Sequence, residues 1–187
     1  MRVTKAAVIQ TASEIADKDG LNDVSLKAVA EKLNIRTPSL YNHIGSLADL
    51  LREVAHSGMR DMNARMTQAA IGNIGDAAIK AVSIEYLNYM IEHPGIYETI
   101  QWATWHGTEE TKSLHGNYLS LLMTLINSCN FNPDSTHEIL NLLTGFLHGY
   151  TTTQLRYAFE NPDEIRKALS NAIDTVLLGC HHKYDSH

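Results

Sequence analysis

Cysteine is almost absent. Two thiols in 187 residues, Cys129 and Cys180, cannot build a disulfide framework. No apolar run reaches the ~20 residues that a membrane helix needs, and the greasiest stretch, Leu119 to Ile126, is far shorter. Met1 to Lys5 lead into an amphipathic pattern without the apolar block of an export signal, so a reducing cytoplasm is the expected compartment. Proline is scarce, at four residues, and strand-like alternation, internal repeats and low-complexity segments are missing. Also missing are a Ser/His/Asp arrangement, a phosphate-binding glycine loop and paired catalytic carboxylates. No catalytic residue, metal or cofactor is therefore expected. His106, His115 and His148 lack the tight spacing of metal ligands, and neither thiol has a basic neighbour to activate it.

What is present suits a packed, all-α protein: 44% hydrophobic and 19% charged residues, with Ala, Leu and Ile at helical spacing. The net charge of −6 is unevenly spread. Residues 1–60 carry eight Lys/Arg against seven Asp/Glu, and the remainder seven against fourteen. A small nucleic-acid reader joined to a larger acidic body would show this asymmetry, and so would a plain solvated acidic surface.

The N-terminal third is closely punctuated. Val8, Ala12, Ile15 and Ala16 share one face of a helix over about Thr4 to Asp19, which Gly20 ends. Ser25 can cap a second helix with Leu26, Val29, Ala30 and Leu33 on its inner face, and Asn34 suits the tight turn after it. Thr37 and Pro38 open a short third helix that Gly45 breaks. Ser46, with Asp49 three residues on, resembles a capping box for a fourth, which can extend to about Gln68. The second and third helices form a helix-turn-helix. Leu40 and Ile44 would hold the third to the core, leaving Thr37, Ser39, Asn42 and His43 to face outwards, where short polar side chains can reach bases or phosphates.

The run Ser25 to Ile35, then Thr37-Pro38-Ser39-Leu40-Tyr41-Asn42-His43-Ile44 and Ser46 to Leu51, resembles the N-terminal domain of TetR-type transcriptional regulators. The resemblance implies that Tyr41 and His43 contact phosphates, that Thr37, Pro38 and Ser39 touch bases, and that Ser25 and Lys27 meet the DNA backbone. Arg36, in the turn, and Asn42 complete the expected DNA-binding set. Three positions depart from the family pattern. Leu47 stands where many members carry a phosphate-binding Lys, Gly45 varies, and Ala16 replaces a usual large aromatic.

Beyond residue 60 the resemblance is weak, with Leu147-His148-Gly149 similar to a step found in some members. Periodicity predicts helices over about 76–93, 96–105, 109–128, from Asn132-Pro133 to about Phe159, and from Asn161-Pro162 to Gly179, about nine in all. Asn161 with Glu164 resembles a further capping box, and His181, His182 and His187 are expected in a mobile polar tail. The last two helices carry more apolar residues than one core needs. Leu143, Phe146, Tyr150, Leu169, Ile173 and Val176 are the expected homodimer interface, with Gly145 and Gly149 allowing close approach; intramolecular packing is the alternative. An aromatic and histidine-rich set, Tyr86, Tyr89, Met90, Trp102, Trp105, His106, Tyr118, Leu122 and His148, is the expected effector-binding set, unless these are ordinary core residues.

The expected organisation is a helix-turn-helix DNA-binding domain over 1–46 and a helical ligand-binding and dimerisation domain over 47–187. The expected function is a ligand-responsive transcriptional regulator: a repressor released from a palindromic double-stranded operator by a small apolar or aromatic effector. The competing reading is a helical small-molecule-binding protein or metalloenzyme with an idle helix-turn-helix.

Overall fold

The computed structural model describes residues 3–158 and 161–185, with side chains throughout except at 155–158. The predicted caps form at Ser25 and Ser46 but not at Thr37, which lies inside its turn with Arg36 at the cap position and no side-chain bond there. Thr4 Oγ1 accepts the Ala7 N–H and opens α1 (Lys5–Asp19), and the Ser25 hydroxyl accepts the Ala28 N–H at 3.1 Å and opens α2 (Leu26–Lys32). Asn34, at φ 52°, ends α2 in a Schellman arrangement: Ile35 N–H donates to Ala30 O and Asn34 N–H to Glu31 O. Thr37–Asn42 is a six-residue 3₁₀ turn with Pro38 in its first turn, shorter and tighter than an α-helix. Ser46 then accepts the Asp49 N–H and donates to the Asp49 carboxylate, starting α3 (Leu47–Ala70).

The remaining helices are α4 (Gly75–Glu92), α5 (Pro94–His106), α6 (Glu109–Asn127), α7 (Thr136–Ala158) and α8 (Pro162–Tyr184). With the Thr37–Asn42 turn counted, the described residues hold the nine expected helical segments, and no strand beyond an isolated bridge between Phe131 and Asp185. None of their helices is long and apolar enough to cross a membrane.

The C-terminal end departs from expectation. Gly179 does not close α8. It is helical, and the helix runs on through His181 and His182 to Tyr184, whose carbonyl accepts the Asn132 N–H at 2.6 Å. His181 is tied to Asp76 at 3.0 Å and Asp185 at 2.6 Å, so this histidine belongs to a packed end and not to a tail. Asn161 makes no side-chain cap; Pro162 in the first turn starts α8. Phe159, the expected end of the preceding helix, and His187 lie outside the described residues.

Packing divides the chain into two units, the first up to Asp61 plus His93–His115, the second Met62–Glu92 plus Gly116 onward. The first is built on Val8, Ala12, Ile15, Val29, Leu40, Ile44, Leu50 and Val54, with Ile96 and Trp102 packed against them. Here α5 meets α1 backbone to backbone: a Cβ on Gly95 would lie 1.9 Å from the Ala16 carbonyl oxygen, so only glycine fits. Asp17 fixes the junction, accepting from Ile96 N–H at 2.9 Å and pairing with His93 Nδ1 at 2.8 Å. In the second unit α4 is buried on several sides (Ile79, Val82, Leu87 and Met90 are sealed) and packs against α7 and α8.

Candidate nucleic-acid interface and effector groove

The Thr37–Asn42 turn displays Ser39 and Asn42 as the spacing predicts, but covers Thr37 and His43 in part. Leu40 and Ile44 are buried, while Pro38, Ser39 and Asn42 are exposed, Thr37 and His43 half-buried, and Tyr41 is 57% exposed. An exposed tyrosine on a turn this short joins a flat apolar ring to a hydroxyl, which suits contact with a sugar-phosphate backbone. Lys27 and Arg36 are exposed nearby in the chain, Lys27 with Glu31 3.8 Å away. Ser25 is half-buried, and its hydroxyl is already engaged as the α2 cap.

Grooves of this first unit lie beside the turn and beside the α5–α6 junction. One, of about 310 Å³, opens beside the turn and is lined by His43, Gly45, Lys5, Arg52, Glu110 and His56 among others. The second, of about 270 Å³, is bounded by Met59 of α3, Trp105 at the end of α5, and Thr111, Lys112 and His115 of α6. Thr108 lines both. Between them a buried imidazole, His56, lies 2.7 Å through Nε2 from Thr111 Oγ1. Thr111 Oγ1 also accepts the Thr108 N–H at 3.0 Å and still has a proton and a second lone pair for its bond with Nε2. Nδ1 faces the Glu110 carboxylate at 3.5 Å. Burial disfavours a charged imidazole and holds the His56 pKa below its ordinary value, while Glu110, itself paired with Arg60, pulls the other way. His56 is thus a neutral, doubly partnered histidine at neutral pH.

Gly107, in the α5–α6 turn, keeps this arrangement tight: a Cβ there would sit 2.6 Å from Thr111 Oγ1 and 2.5 Å from the Ala103 carbonyl oxygen. The residues that matter here (His56, Thr111, Gly107, Asp17) carry no motif. The one sequence signal is a histidine interrupting the apolar stripe Val54, Ala55, Met59.

The expected effector set is divided between the units. Trp102, Trp105 and His106 belong to the first. Trp102 packs on the core and stacks on His106 at 4.6 Å, which assigns its ring to structure, whereas Trp105 is 87% exposed. Tyr86, Tyr89, Met90, Tyr118 and Leu122 are buried in the second unit, with Tyr86 and Tyr118 stacked at 6.0 Å, and His148 is exposed on α7. The expected dimer set is also divided. Leu143, Leu169 and Ile173 are sealed inside the protomer's own core, because α7 and α8 pack on α4, so these three side chains cannot be the ones that meet a partner. Phe146, Tyr150 and Val176 remain half-buried, and Leu142 and Leu178 are exposed.

Burial, followed by the neighbouring Asp76 carboxylate, pushes Cys129 up to about 12, and burial raises Cys180 as well.

Residues 79–176 match the family model of a tetracyclin repressor-like C-terminal domain. An uncharacterized HTH-type transcriptional regulator of Bacillus subtilis (strain 168), YobS, is 32% identical over 178 residues, spanning 95% of this chain and 92% of that protein. Among solved structures, a single-substitution variant of TetR from Acinetobacter baumannii AYE, in complex with minocycline, is similar at a TM-score of 0.71 and 18% identity, over 99% of this chain and 100% of that one. BioQ with its natural double-stranded DNA operator is similar at a TM-score of 0.69 and 15% identity, over 96% of this chain and 98% of that one.

Proposed function

Because the chain belongs to the TetR family of helix-turn-helix transcriptional regulators, we propose that it is a repressor that reads a palindromic operator as a homodimer and leaves it when a small apolar or aromatic molecule binds. The observation that carries this reading is the Thr37–Asn42 turn, anchored by buried Leu40 and presenting Ser39, Tyr41 and Asn42 outwards. The similar BioQ was solved on its operator and the similar TetR variant with minocycline, in keeping with DNA and a small molecule as the two partners. Residues 1–46 act as the reader, with Ser25, Lys27, Arg36 and His43 supporting the turn. Residues 47–187 take the effector and the second subunit.

The dimer contact uses the outward faces of α7 and α8: Leu142, Phe146, Tyr150, Val176 and Leu178. Gly145, Gly149 and Gly179 support this, since a Cβ at each would meet nothing within 4 Å and a second helix can come close. The cytoplasm, where the DNA is, is the proposed compartment. For the effector, Trp105 is the favoured contact, being 87% exposed and lining a groove.

The test is selection of duplexes from the promoter region of its own gene, followed by titration at several salt concentrations. Binding should weaken steeply with salt, as counterions are released from phosphates. Tyr41→Phe and His43→Ala should each cost about 1–2 kcal/mol per subunit without unfolding the protein. Deleting one half-site should remove most of the affinity. Undiminished operator binding by the double variant would overturn the assignment of the turn.

A further inference from the structure

The Trp105 groove is open, partly aromatic and bordered by positive charge, and the function proposed above leaves its ligand unspecified. Its floor is apolar, formed by the buried Met59 and Ala103, and its wall is an indole with most of its surface uncovered. An uncovered indole above an apolar floor suits a flat ring, which gains area burial and offset stacking together. The volume, about 270 Å³, falls just below the roughly 300–1,000 Å³ usual for ligand sites, so the ring system is small. Lys112 and His115 line the groove, and no carboxylate does. Glu109, which pairs with Lys112, is outside the lining, and the pair is so exposed that a ligand can replace it at little cost.

We propose that this groove binds a planar aromatic carboxylate, stacked on Trp105 with its anionic end toward Lys112, and that Thr111 passes its occupancy to His56. The proposal rests on the regulatory reading above. The carboxylate can only accept hydrogen bonds, and Thr111 Oγ1 is the hydroxyl in the groove wall that is bonded to His56 Nε2. A carboxylate accepting the Thr111 proton fixes Nε2 as the donor of that bond. The neutral imidazole then carries its proton on Nε2, and Nδ1 faces the Glu110 carboxylate as a bare acceptor. Two acceptors set against each other disturb the wall of the groove beside His43 and Gly45, at the end of the DNA-reading turn. Thr111 and His56 are positioning residues in this scheme: neither needs to hold the ring.

The experiment titrates the intact protein with benzoate and 2-naphthoate and with the corresponding uncharged amides, read by tryptophan fluorescence. Quenching should persist in Trp102→Phe and vanish in Trp105→Leu. The carboxylates should bind about tenfold more tightly than the amides, and Lys112→Gln should abolish that preference. At saturation, 2-naphthoate should weaken operator binding about tenfold, within the usual range of coupling between two sites. Thr111→Val should weaken carboxylate binding, keep the quenching at saturating ligand but lose the effect on DNA, and Thr111→Ser should restore it. Equal affinity for carboxylates and amides, or quenching indifferent to Trp105→Leu, overturns the proposed ligand class. Coupling that survives Thr111→Val overturns the route through His56. Operator binding without ligand is measured on the same samples. Its absence would refute the regulatory reading, whereas operator binding without carboxylate selectivity refutes only the groove.

Discussion

The two units shift the pKa of a histidine in opposite directions, and each has a helix contact of a different kind. In the first, His56 is buried and kept neutral, and α5 reaches α1 through bare backbone at Gly95. In the second, His181 lies between two carboxylates. Its hydrogen bond with Asp185, and then that with Asp76, raise its pKa against the opposing effect of burial. There α4 is tied to its surroundings by long side chains. Arg65 reaches Glu85 at 2.6 Å and Glu92 at 2.8 Å, Lys80 reaches Asp174 at 2.6 Å, and Arg166 donates to Asn88 at 2.7 Å. A contact made by absence of a side chain tolerates no addition, whereas one made by long charged side chains tolerates movement and responds to solvent.

Gly95→Ala should show the contrast most strongly. The new Cβ would meet the Ala16 carbonyl and the Asp17 amide, both backbone atoms that cannot rotate away. A loss of about 3 kcal/mol is expected, outweighing alanine's better helix propensity. In a protein of this size that corresponds to a fall of roughly 6–12 °C in the thermal midpoint. An unchanged midpoint would mean that α1 and α5 do not meet this closely. Arg65→Met tests the other mode. Arg65 is half-buried and lies 5.4 Å from the Tyr89 ring centroid, so its loss should cost about 1 kcal/mol at low salt and less as salt rises. A salt-independent loss would assign its role to packing.

The smallest effect, and the sharpest test of the comparison, is the pH dependence. His56 has a depressed folded pKa, so the stability it contributes is present above the unfolded value near 6.5 and is lost as pH falls through the folded value. The groups facing it are Arg52, Glu53 and Arg60 of α3 and Glu110 of α6. His181 has the opposite sign. Its contribution is full below about 6.5 and is lost as pH rises through its raised folded value. In melts from pH 5 to 8.5, His56→Gln should therefore flatten the acid limb and His181→Gln the alkaline limb. The reverse assignment would refute the contrast.

Punctuation made the first third of the chain legible. Thr4, Ser25, Asn34, Pro38 and Ser46 each act locally, through a cap or a turn within a few residues, and the helix boundaries and outward-facing turn follow from them. The glycine at 179 misled, because a glycine stops a helix only where the backbone turns left-handed, and here Phe131 and Asp76 hold the His181 turn helical beyond it. The expected dimer set mixed two helix faces for a related reason. Periodicity marks Leu143 and Ile173 as apolar without saying which apolar face belongs to the protomer's core. His56 with Thr111, 55 residues apart, and Asp17 with Ile96, 79 apart, lie beyond any spacing rule.

That last separation bears on the order in which the protein is made. The DNA-reading helices are complete by residue 46, yet Asp17 and Ala16 wait for residues 93–96 before the end of α1 is covered. At synthesis rates of about 5–20 residues per second, the first helix remains without that cover for about 4–16 seconds. Closing so distant a contact late makes it a slow step in folding. A chain truncated after α3 would carry the whole reading surface while leaving the face meant for Ile96 and Trp102 open to aggregation.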